Sequence, residues 1–209
     1  MKLKVCGMKY TDNIKELEKL CPDFMGFIFY PKSIRNAQEE LDANLLKNLD
    51  PRIQKVAVFV NESISSIKEI AAKYGIKVLQ LHGNELPEFC TILKKEGFTI
   101  IKAFPVGETL PDVLDSYSNC CDYFLFDTKT ENYGGSGKRF SWDILKDYKG
   151  KMPVFLSGGI GVGSIAEIQN LKDVNIFAVD INSCFEISPA VKNIGEIANF
   201  KRDLNTIRI

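Results

Sequence analysis

Short apolar runs recur along this chain, with amphipathic stretches between them. The runs LKVC (3–6), FMGFIF (24–29), KVAVFV (55–60), KVLQL (77–81), TIIKAF (99–104), DYFLFD (122–127), PVFLS (153–157) and IFAVD (176–180) have strand length. They are rich in Val, Ile and Phe and mostly continuous, the signature of parallel strands covered on both faces. The intervening stretches carry helical stripes. TDNIKELEKL places Ile14, Leu17 and Leu20 on one face, with Thr11 and Asp12 as candidate caps. ESISSIKEIAAKYG aligns Ile64, Ile67, Ile70 and Ala71 and stops at Gly75. LPEFCTILKKEG, DVLDSYS, SWDILKDYKG and SPAVKNIGEIANF read similarly, and VGSIAEIQNL is a short version of the same pattern.

Eight strands alternating with eight helical segments predict a parallel α/β sheet with right-handed crossovers. The count favours closure into a single (β/α)8 TIM barrel over residues 1–209, compact beside the roughly 250 residues typical of such barrels. An open doubly wound sheet is the alternative, although it usually stops at about five or six strands.

Charge narrows the partners. Acidic and basic residues balance at 27 each, so no global field draws nucleic acid or an anionic membrane, and an anionic ligand must be held by local groups. No window has the apolar length to span a bilayer, and Lys2, Lys4 and Lys9 interrupt what would be a secretory signal. Six cysteines (Cys6, Cys21, Cys90, Cys120, Cys121, Cys184) form no CxxC pair and no metal-ligand spacing, and His82 is the only histidine. The expectation is reduced thiols, no bound metal and a cytoplasmic protein, monomer or homodimer.

Barrel sites lie at the C-terminal ends of the strands. There stand Cys6, the YPKSIR loop with Arg35, Asn61, His82, Asp127, Ser157-Gly158-Gly159 and Asp180-Ile181-Asn182-Ser183. Cys6 ends its strand ahead of Gly7, where a thiol can act as a base if a nearby cation, such as Lys or Arg from the strand-two loop, lowers its pKa. Asp127 closes an apolar run, an environment that raises a carboxyl's pKa and suits it to donate a proton. SGGIGVGS (157–164) offers backbone N–H groups and a following helix dipole to a phosphate. YGGSGKR (133–139) is no nucleotide-binding phosphate loop, because Asn132 and Arg139 stand where Gly and Ser/Thr are needed; Gly134, Gly135 and Gly137 look instead like hinges of a lid.

Together KVCGM, GFIFYPKSIR, KVAVFVNE, VLQLHG, FDTKTENYGGSGKRFSW, LSGGI and AVDINSCFE resemble the phosphoribosylanthranilate isomerase family of tryptophan biosynthesis, in order along nearly the whole chain. The resemblance implies isomerisation of N-(5′-phosphoribosyl)anthranilate, an aminoaldose, to 1-(2-carboxyphenylamino)-1-deoxyribulose 5-phosphate by an Amadori rearrangement. It implies Cys6 as base and Asp127 as acid, with Arg35 on the anthranilate carboxylate and His82 near the substrate. Asp180 would contact the sugar region, and backbone around Gly158, Gly159, Asn182 and Ser183 would hold the phosphate. No cofactor is implied, since the protonated imine intermediate is itself the electron sink.

Cys184 stands where the family pattern has glycine, and its Cβ is expected to crowd the phosphate or alter the backbone. Rival readings are the analogous isomerase of histidine biosynthesis, which resembles a duplicated half-barrel using two aspartates, and indole-glycerol-phosphate synthase, for which Lys102 would be the central lysine. A catalytically idle phosphosugar-binding protein is a further alternative.

Overall fold

The computed structural model describes residues 1–129 and 140–207. Its first eight strands are β1 (Lys2–Val5), β2 (Phe24–Ile28), β3 (Gln54–Phe59), β4 (Val78–Leu81), β5 (Thr99–Val106), β6 (Tyr123–Thr128), β7 (Val154–Leu156) and β8 (Ile176–Ile181). They pair in chain order as a closed, all-parallel barrel, with β1 returning to β8 through Lys4↔Asp180 and Val5↔Ile181. Among the described residues helical segments surround it: α1 (Thr11–Lys19), α2 (Ala43–Asn48), which none of the quoted stretches covers, α3 (Ile64–Tyr74), α4 (Pro87–Lys95), α5 (Leu114–Tyr117), a 3-10 turn (Trp142–Asp147), α6 (Ile165–Gln169) and α7 (Ile194–Leu204).

Strand alternation sorts the side chains into two layers. One set fills the barrel: Phe24, Val56, Val58, Val78, Ile101, Ala103, Leu125, Phe155 and Ala178 pack into one inner cluster that ends at Cys6. Phe24 and Phe155 meet edge to face, with ring centroids 5.2 Å apart. The other set faces the helices, where Phe104 packs edge-on against both Tyr117 and Phe124. Full burial of each such aromatic is worth about 1.5–3 kcal/mol.

The same alternation turns polar residues inward near the C-terminal mouth. Lys4 lies two before Cys6, Gln80 two after Val78, Asp127 two after Leu125 and Asp180 two after Ala178, and all four are buried. The inner layer is therefore apolar below and ionic above.

Local details depart from the patterning. Tyr10 occupies the N-cap of α1 without a side-chain bond, so neither Thr11 nor Asp12 caps it. DVLDSYS yields a single turn of helix, and SWDILKDYKG winds as 3-10. The SPAVK segment belongs to a hairpin, β9 (Glu186–Ser188) with β10 (Val191–Lys192), and α7 starts only after Asn193, whose side chain accepts from Glu196 N. Gly75 does stop α3, at φ 63° in the left-handed region.

Candidate active site

Cys6 follows β1 on the inward side and is 4% exposed. Its N–H donates to Ile181 O at 2.9 Å, which fixes it against β8. Space for the thiol comes from Gly26 on β2, where a Cβ would stand 2.9 Å from Sγ. Gly7, at φ 78°, then turns the chain, and a Cβ there would lie 2.7 Å from Asn182 Oδ1.

Burial pushes the Cys6 thiol above its ordinary pKa; the Lys4 ammonium beside it pulls the other way, Asp180 adds to the rise, and Lys192 opposes it. The strand-two cation expected from the sequence is present, since Arg35 interacts electrostatically with Cys6, but Lys4 on β1 and Lys192 on β10 count for more; burial outweighs all of them, so the net direction is upward rather than down.

Lys4 has no exposed surface, and its Nζ meets Asp180 Oδ2 at 2.8 Å. Burial pulls the ammonium's pKa down, yet Asp180 and Cys6 more than restore it, so the net shift is up and Lys4 stays charged. Burial likewise raises the Asp180 carboxyl, with Lys4 countering. Asp180 Oδ1 has no hydrogen-bond partner among the described residues. A buried acceptor left open at a barrel mouth is suited to a ligand hydroxyl.

Arg35 is pinned. Its Nε donates to Glu186 Oε1 at 2.8 Å and its Nη2 to Oε2 at 2.6 Å, a forked pair that, among the described residues, leaves the Nη1 edge of the guanidinium for another anion. Lys192 Nζ donates to Glu186 Oε1 at 2.7 Å and to Asn182 Oδ1 at 2.6 Å. Although burial works against it, Glu186 is held below the usual carboxylate range by Arg35 and Lys192. Asn182 thus joins the β9–β10 hairpin to the Cys6-Gly7 corner.

Across the mouth, His82 Nε2 stands 3.4 Å from Asp127 Oδ2. Gln80 Nε2 lies 2.8 Å from His82 Nδ1, and donation there leaves the neutral ring's proton on Nε2, facing the carboxylate. Asp127 Oδ1 accepts from Thr128 N at 2.9 Å. Gly158, at φ 90°, comes close as well: a Cβ there would lie 3.2 Å from Asp127 Oδ1.

Gly158 and Gly159 have φ of 90° and 65°, a left-handed pair at the β7 exit. The helix behind them is short, as the sequence predicts: a three-residue 3-10 turn (Val162–Ser164) leading into five-residue α6. Asn182 and Ser183 enter a 3-10 turn (Ser183–Phe185) at the β8 exit. Cys184 is exposed, is not among the residues with positive φ, and keeps its Cβ 3.8 Å from where a Gly161 Cβ would stand, an ordinary contact. The backbone distortion expected there is absent.

Every candidate site residue therefore lies at the C-terminal mouth. Reasoning from sequence missed Lys4, Gln80, Glu186 and Lys192. Counting back two from Cys6 and from His82 would have found Lys4 and Gln80; nothing local marks Glu186 or Lys192, which fold in through the hairpin. Lys102 is no rival: its Nζ donates to Leu81 O, Gly83 O, Ala103 O and Glu85 Oε2, facing away from the inner cluster. The proposed lid hinges Gly134, Gly135 and Gly137 lie outside the described residues.

A thiol and a carboxyl at the mouth of a parallel barrel, beside an arginine with a free edge and a glycine turn, define a proton-transfer enzyme acting on a small anionic substrate. The model of the N-(5′-phosphoribosyl)anthranilate (PRA) isomerase family matches residues 3–203, and the chain belongs to that family. It is 46% identical over 205 residues to the N-(5′-phosphoribosyl)anthranilate isomerase of Parabacteroides distasonis, covering 96% of this chain and 91% of that one. The phosphoribosyl anthranilate isomerase structure from Thermotoga maritima superposes with a TM-score of 0.85 at 31% identity, covering 98% of each chain. Another, in complex with reduced 1-(o-carboxyphenylamino)-1-deoxyribulose 5-phosphate, gives a TM-score of 0.82 at 27% identity, again over 98% of each.

Proposed function

We propose that this chain isomerises N-(5′-phosphoribosyl)anthranilate to 1-(2-carboxyphenylamino)-1-deoxyribulose 5-phosphate, a step of tryptophan biosynthesis, with Cys6 as the base and Asp127 as the acid. Family membership supports the reaction. The observation that carries the residue assignment is the inward alternation of β1 and β6, which brings Cys6 and Asp127 to the same end of one barrel.

Asp127 gives a proton to the furanose ring oxygen, and the C1′–O bond breaks to leave a protonated imine. Cys6 thiolate then takes the C2′ proton. The C–H electrons form a C1′–C2′ double bond while the imine electrons return to nitrogen, and the enolamine tautomerises to the aminoketose. A thiolate is basic enough because the iminium makes that C–H acidic.

Lys4 is the positioning residue for this base. Its charge offsets part of the burial cost of the thiolate, and Asp180 holds the ammonium in place. The open Oδ1 of Asp180 takes a sugar hydroxyl, and His82 steadies Asp127. The free edge of Arg35 takes the anthranilate carboxylate, its other edge clamped by Glu186. Backbone N–H groups at Gly158-Gly159 and Asn182-Ser183 hold the phosphate, because a left-handed turn lets successive amides converge on an anion.

Turnover of substrate formed in situ from anthranilate and phosphoribosyl pyrophosphate, followed as fluorescence loss above the spontaneous rate, tests the reading. Saturable turnover supports it. Binding of the reduced product analogue without turnover would leave the fold and remove the enzyme.

A further inference from the structure

Three thiols converge in the outer apolar layer, outside the barrel's inner cluster. Cys90 sits on the inward stripe of α4, and Cys120 and Cys121 on the turn between α5 and β6. Their sulfurs all lie within 4.8 Å of one another, with Cys120 Sγ and Cys121 Sγ 3.9 Å apart. The three residues are 0%, 5% and 2% exposed and belong to the outer apolar layer. A sequence separation of about thirty residues conceals the group, which is why spacing alone shows no metal pattern.

The arrangement selects its ligand by donor type and number. A metal–thiolate bond of about 2.3 Å places three sulfurs around one ion about 4 Å apart, close to the separations found here. Hard cations such as Mg2+ and Ca2+ want oxygen. Zn2+ wants four ligands, and among the described residues no histidine nitrogen or carboxylate oxygen joins the three sulfurs. A soft, three-coordinate ion remains, and thiolates favour monovalent copper.

We propose that Cys90, Cys120 and Cys121 form a binding site for Cu(I), separate from the isomerase mouth. The existing contacts favour it. Cys120 Sγ lies 3.9 Å from Cys121 Sγ, and Cys90 Sγ completes a triangle within 4.8 Å, so the three sulfurs already face a common centre. Copper enters already monovalent, so no electron moves; each thiol that ligates as thiolate releases one proton to solvent. The buried Lys102 ammonium, 3.1 Å from Glu85 Oε2, lies close enough to Cys90 to offset part of the negative charge. The occupied site would tie α4 to the entrance of β6, so binding stabilises the folded chain.

The test uses the protein carrying Cys21→Ser and Cys184→Ser, titrated anaerobically against Cu(I) held as its bicinchoninate complex. Isomerase activity serves as the folding control. One copper per chain should leave the chelator, the melting temperature should rise, and X-ray absorption should show three sulfurs near 2.3 Å. Cys90→Ala and Cys121→Ala should each weaken binding at least tenfold while activity is kept. Copper that stays with the chelator, equal binding in those variants, or scattering from nitrogen and oxygen overturns the proposal and leaves three packed core thiols. If the variants fail to fold, the sulfur count on the parent background still decides.

Discussion

Lys4 and Asp180 meet inside the barrel at 2.8 Å, both nearly sealed from solvent, directly beneath the thiol of Cys6. A buried charge pair of this kind contributes little net stability, because desolvation offsets the attraction. Its value is electrostatic: a fixed positive charge beside a base that burial would otherwise keep protonated.

Replacing that charge should show in the pH profile. Lys4 lowers the Cys6 pKa, so Lys4→Met should raise it further, and fewer molecules carry the thiolate at a given pH. The rising limb of kcat/KM against pH should move to higher pH. Rates of iodoacetamide alkylation at Cys6 should shift with it. An unmoved limb with a merely reduced plateau would mean that Lys4 serves packing alone.

Gly26 is required by contact and not by backbone angle. In Gly26→Ala the new Cβ would stand 2.9 Å from Cys6 Sγ and 3.2 Å from its Cα. Relief must come from moving the base, at a stability cost of about 1–3 kcal/mol. Steady-state kinetics should show kcat falling at least about tenfold with KM nearly constant, since the displaced group meets only the reacting atoms.

Glu186 links two observables. In Glu186→Gln the Arg35 fork and Lys192 lose their anion, so KM should rise more than kcat falls. The folded-state pKa of Glu186 is depressed, so its stabilisation is complete above the unfolded value of roughly 4.3 and fades as pH falls toward the lower folded one. Acid titrations followed by circular dichroism should show the parent losing stability in that window and the variant losing less.

Lys102 holds the turn that follows β4. Lys102→Met would leave Glu85 buried without its cation and remove the ammonium that Leu81 O, Gly83 O and Ala103 O share. Loss of about 3–5 kcal/mol is expected, read as a lower melting temperature. The destabilisation should exceed that of the double replacement Lys102→Met/Glu85→Gln.

The fold was legible because continuous apolar runs such as FMGFIF and DYFLFD can only be strands covered on both faces. The site was legible where a polar residue ends such a run, as Cys6 and Asp127 do. Lys4 was overlooked because a lysine within a strand reads as a surface residue until closure makes its face an interior. Glu186 and Lys192 were hidden differently: the hairpin that delivers them was read as the start of α7, since Ala190, Val191 and Ile194 mimic a helical stripe. Likewise no local pattern joins Cys90 to Cys120 and Cys121, which meet only where α4 lies against the turn ahead of β6.

The most direct test of the acid–base account compares Cys6→Ser and Asp127→Asn with the parent on substrate generated in situ, with binding of the reduced product analogue measured alongside. Each replacement should lower kcat by at least about a hundredfold while the analogue still binds within a few-fold of the parent. Near-parental turnover in either variant would remove that residue from the chemistry and contradict the assignment.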